Sequence, residues 1–91
     1  MKIKLSNSIN FEGTDYTELD LDFESLTGRD LINAEVEARM IAGPSPLSEL
    51  SKPYNAVIAA KAAKVPVELV IDLKAKDFTV VTMEAQNFLL G

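Results

Sequence analysis

Ninety-one residues, 47% apolar and 25% charged, make an ordinary globular chain, expected to fold as a single domain over 1–91 with an adequate but not generous core. Cysteine and histidine are both absent, which excludes disulfides, thiolate nucleophiles, the usual nitrogen–sulfur zinc sites and the side chain best suited to proton transfer near neutral pH. The formal charge of −5 lies wholly in residues 1–43, with nine acids against four bases, while residues 44–91 hold five of each; such a surface disfavours nucleic acid and suits solubility or a basic protein partner.

In chain order, Lys2 to Leu5 alternate polar and apolar, and Ile9 and Phe11 resume the alternation after a polar break at Ser6, Asn7 and Ser8. Glu12 to Asp15 form a turn signal in which Gly13 is able to take positive φ. Tyr16 to Phe23 then alternate again, with Leu19, Leu21 and Phe23 on a dry face and Glu18, Asp20, Asp22 and Glu24 on a wet one. The pattern predicts an antiparallel β-hairpin over about 2–23. Two strands alone are marginal in water, so helices must cover the dry face.

Thr27 and Asp30 predict a capping box at the start of a helix over about 28–41, with Leu31, Ala34 and Ala38 on its core stripe and Glu35–Arg39 as an i,i+4 pair. Ala42 to Pro46 stop it, since glycine caps and proline does not extend. A second helix is predicted over about 51–64, with Ser51 as N-cap and Pro53 in the first turn. Eight of the ten residues from Tyr54 to Ala63 are apolar, five of them alanine; a helix apolar nearly all round is a central one. Val65 to Ile71 is readable as a short helical turn over 66–71 or as a strand. The turn is preferred, because a third strand has no evident neighbour. Phe78, Val81, Ala85, Phe88 and Leu89 place a core stripe on a last helix over about 75–90. The expected fold class is α+β, a hairpin packed on about three helices.

The acidic run is a poor metal site. An EF-hand loop counted from Asp20 needs glycine at its sixth position and glutamate at its twelfth, and meets Ser25 and Leu31. On a strand, residues 20, 22 and 24 span about 13 Å, too far to chelate one ion. With no histidine, no nucleophile elbow and no phosphate-cradling loop, no catalytic, cofactor or metal residue is assigned and no enzyme is expected. Tyr16 and Tyr54 read as amphipathic rim residues. Phe88, Leu89 and Leu90 have two readings: core plus an ordinary terminus, or an exposed patch for self-association or a partner helix. They are the candidate partner-binding residues. No apolar leader follows Met1, and the longest apolar tract, about 56–63, is far short of a membrane span, so a soluble cytoplasmic protein is expected.

The run from Tyr16 to Leu31, ending Leu26-Thr-Gly-Arg-Asp-Leu31, followed by an Ala-Glu-x-Glu-Ala-Arg run at 34–39, Val65-Pro-Val-Glu68, Ala75-Lys-Asp-Phe78 and Gln86-Asn-Phe-Leu89, resembles the tail assembly chaperones of long-tailed bacteriophages and prophages. The resemblance extends from about Phe11 onward and lies in the order and spacing of these pieces. It implies a non-enzymatic protein, without cofactors, that binds the helical tape-measure protein in the host bacterial cytoplasm and keeps it soluble. It also implies tail-tube subunits as a second partner and absence from the finished virion. A small domain that coats a long helical client needs many copies, so a homo-oligomer is expected. The alternatives are another small phage structural or head–tail joining protein, which persists in purified particles, and a small bacterial regulatory protein-binding module.

Overall fold

A computed structural model describes residues 1–43 and 48–91. Its fold is α+β, an N-terminal antiparallel hairpin followed by helices. Strands β1 (Lys2–Phe11) and β2 (Thr14–Asp20) pair in register Ile3↔Leu19 and Phe11↔Thr14. The two residues joining them, Glu12 and Gly13, take φ of 50° and 85°, the positive values that a type I′ connection requires. The ladder is irregular between Lys4 and Ile9: β1 advances from 4 to 9 while β2 retreats only from 18 to 16. The surplus residues form a bulge at the polar break of Ser6, Asn7 and Ser8. Their orphaned amides find a carboxylate: Asp77 accepts from the Ser6 N–H at 2.9 Å and the Asn7 N–H at 3.3 Å.

The second strand ends earlier than its alternation predicts. It has no partner left: Lys2 already pairs with Asp20, and the Leu21 N–H donates to the Met1 carbonyl at 2.7 Å. The Asp22 N–H turns instead to the carbonyl of Ala62 at 3.0 Å, and Phe23–Ser25 wind into a single 3-10 turn. Leu19, Leu21 and Phe23 nevertheless all reach the core, and Glu18, Asp20, Asp22 and Glu24 are exposed.

Helix α1 (Gly28–Ala42) starts with the capping box: Thr27 Oγ1 accepts from the Asp30 N–H at 3.3 Å, and Asp30 Oδ2 accepts from the Thr27 N–H at 2.8 Å. It ends at Gly43, whose φ of 81° suits glycine and whose N–H donates to the Arg39 carbonyl at 2.8 Å. Pro44, Ser45 and Pro46 of the expected stop lie outside the described residues. Helix α2 (Lys52–Ala63) is buried without a break from Tyr54 to Ala60. It packs against α1, the short α3 (Val67–Ile71), α4 (Ala75–Leu90) and the end of the hairpin. Small side chains permit this: Ala34 and Ala38 of α1 are fully buried, as are Ala56, Ala59, Ala60 and Ala62 of α2.

Two local expectations are corrected and one open choice is resolved. Ser51 stands at the N-cap of α2 but makes no side-chain cap bond; its hydroxyl accepts from the Ser48 N–H at 3.0 Å. Tyr54 is core and not rim, 7% exposed, with its hydroxyl 3.5 Å from the Leu31 carbonyl. The strand alternative for Val65–Ile71 gives way to α3, because the sheet has only two strands among the described residues and Pro66 sits in extended geometry just ahead of a helical turn. Leu69 and Val70 are buried there.

Candidate partner interface

Helix α1 has two apolar faces. The inner one, Ala34 and Ala38 with Leu31 half-buried beside them, lies on α2. The outer one carries Ile32, Val36 and Met40 at four-residue spacing, 65%, 53% and 82% exposed. Residues four apart on a helix share a face, so these three form a continuous strip some 12 Å long at 1.5 Å per residue. Scattered exposed apolar residues are normal, whereas three large ones aligned on one helix make a candidate contact surface.

At Met40 the strip runs into a pair of shallow grooves that share Ile41 and Ile71, both exposed. One, of about 410 Å³, lies between α1, α3 and the starts of α2 and α4, walled by Pro53, Ala56, Leu73 and Phe78 with Lys52 at its rim. The other, of about 400 Å³, lies between α1 and α3, walled by Met40, Pro66 and Val67 and edged by Glu37 and Glu68. Lys61 holds Glu37 at 2.7 Å, and Lys52 Nζ donates to Thr82 Oγ1 at 3.3 Å, so both rims are anchored to the helices behind them.

The residues singled out from the C-terminal sequence are divided by the fold. Phe88 stacks on Phe23, with ring centroids 5.0 Å apart and planes inclined by 15°, and Leu89 is half-buried against the same core. Leu90 is exposed. Phe88 also lines a third groove of about 370 Å³, where Asp22, Glu24 and Glu84 make an acidic rim. The stronger apolar surface lies elsewhere, at Ile32, Val36, Met40, Ile41 and Ile71. The repeat of Ile32, Val36 and Met40 is visible in the sequence. The grooves are not, because α3 joins Ile71 to Ile41 only through tertiary packing.

The perturbed ionisable groups are structural. Burial pushes the Asp77 carboxyl up, but the amides of Ser6 and Asn7, the Ser6 side chain and nearby Lys76 outweigh it and hold Asp77 below the usual carboxylate range. The Thr27 amide, then the Thr27 hydroxyl, lower Asp30 against a small opposing effect of burial. Burial, with Glu35 and Glu49 nearby, raises the Tyr54 phenol. Among the described residues no cluster of three or more acidic side chains could hold a metal ion. No helix of the described residues is long and apolar enough to cross a membrane. What this surface offers is apolar contact along two shallow grooves.

A protein-family model described as phage tail assembly chaperone proteins, E, or 41 or 14, matches residues 2–90. No curated protein gives a significant match, and neither does any solved structure.

Proposed function

The chain belongs to the phage tail assembly chaperone family, and on that premise we propose that it binds the tape-measure protein, keeps it soluble before it is enclosed in the tail, and assists the addition of tail-tube subunits. The observation that carries this reading is the apolar surface of Met40, Ile41 and Ile71 with its two grooves, placed on a chain of net charge −5. A long helical client offers apolar ridges that a shallow groove between helices accepts, and the acidic hairpin side keeps the loaded complex in solution.

The role is non-enzymatic and needs no cofactor, and the protein works in the host bacterial cytoplasm as a homo-oligomer. Phe88, Leu89 and Leu90 contribute at most an outlying contact, since core packing already occupies much of the first two. The test is the composition of assembling and finished particles. The chain should co-purify with tape-measure protein from cells in which tails are being built and be missing from purified virions. Its presence at stoichiometric level in finished virions would refute the reading and favour a structural or joining protein.

A further inference from the structure

We propose that the outer strip of α1 is the self-association surface, on which two copies pair their α1 helices antiparallel about Val36; this rests on the homo-oligomeric reading above but is read without any client. The strip is separate from α1's buried face and points away from the rest of the fold, with Ile32 and Met40 more than three-fifths exposed. A two-fold axis at the level of Val36 sets Val36 against its own copy and Ile32 against Met40 of the other chain, so the apolar side chains are self-complementary. An isologous interface requires this kind of match.

Charge supplies the argument for a second copy over another helix. At 100° per residue, Arg39 lies 60° from the Val36 direction and Glu35 lies 100° from it, both to the same side. The Glu35–Arg39 distance of 3.8 Å within one helix fits that shared flank. A two-fold axis perpendicular to both helices keeps each flank facing the same flank of its copy. Arg39 of one chain therefore falls within about 3 Å, along the axis, of the level of Glu35 in the other, and the pair is made twice. The two Glu35 side chains point further from the seam than the arginines, so each carboxylate meets an arginine before it meets its own copy. On the opposite flank Glu37 is held back by Lys61 at 2.7 Å, which leaves the uncharged Asn33 and, near the helix start, Arg29 facing the partner; Arg29 falls at the level of Gly43 of the other chain, where no like charge meets it. The strip is short against the roughly 800 Å² per partner of a stable complex, so the pairing depends on protein concentration.

The test uses the whole chain without client. Sedimentation should show mass rising with concentration from the 9.9 kDa of one chain toward twice that value. Val36→Asp should hold it at the monomer mass with an unchanged helical spectrum, because Val36 is half exposed and supports no core. Glu35→Arg and Arg39→Glu should each weaken association about tenfold or more by placing like charges across both contacts. Mixed together, those two variants should associate with each other, since both contacts then join an arginine of one variant to a glutamate of the other. A monomer at every concentration overturns the proposal. So does association that survives Val36→Asp, or a failure of the two charge variants to complement each other. None of these results depends on binding a tape-measure protein.

Discussion

Asp77 joins the ends of the fold. It sits in the first turn of α4, buried at 4% exposure, and accepts two amides from the β1 bulge seventy residues away in sequence. Asp77→Asn removes the charge and leaves one amide poorly served, so chemical unfolding at neutral pH should show a loss of roughly 1.5–3 kcal/mol. Because the folded pKa is lowered, this contribution is fully present above about pH 4, the unfolded carboxylate range, and disappears as pH falls through the depressed folded value. The gap between wild type and Asp77→Asn should therefore narrow in acid. Asn55 is the opposite case: it is 1% exposed, and neither its amide nitrogen nor its oxygen finds a partner among the described residues. Asn55→Leu keeps the branching and removes the unpaired polar atoms, and should raise stability by about 1 kcal/mol in thermal unfolding. Neither role was legible in the sequence. Asp77 reads there as a first-turn acid, and Asn55 as the polar interruption of an apolar helix; their surroundings are set by elements far away in the chain.

At the scale of elements, local chemistry carries most of the architecture. The Thr27–Asp30 box and the Gly43 cap follow from residues within one turn, and the central position of the alanine-rich α2 and the span of α4 follow from the pattern along each helix itself. The end of β2 does not, because it depends on where β1 begins. Likewise the bulge reads only as a polar break, since its register is fixed by Asp77. Two predictions belong here. Ala34 and Ala38 have no exposed surface against α2, so Ala38→Leu should cost roughly 1–3 kcal/mol by overpacking, read from denaturant midpoints. Glu12 takes a positive φ of 50° ahead of Gly13, a conformation that asparagine tolerates better. Glu12→Asn should then raise stability by roughly a few tenths to 1 kcal/mol, read as a slightly higher melting temperature.

For the whole molecule, the distribution of surfaces bears on the proposed function more than any one residue does. The acidic hairpin side is wet and the α2 core is closed; of the large apolar side chains left exposed, Ile32, Val36, Met40, Ile41 and Ile71 lie on the outside of α1 and in the grooves it shares with α3, while Met1, Leu50, Val80, Met83 and Leu90 are exposed elsewhere. The acidic half was evident from composition. The apolar side was only half legible: the core stripe of Leu31, Ala34 and Ala38 follows from spacing and leaves Ile32, Val36 and Met40 on another face, but the grooves that face runs into do not follow from α1 alone. Ile41 and Ile71 come together only through the packing of α3. In the proposed function this surface holds a tape-measure protein in solution. The most direct measurement is co-expression of that protein with the wild-type chain and with an Ile41→Glu/Ile71→Glu double variant, both sites being exposed and so compatible with folding. The tape-measure protein should enter the soluble fraction and co-purify with the wild type, and both effects should be lost with the variant. A tape-measure protein that stays insoluble and does not co-purify with the wild-type chain would contradict the proposed function.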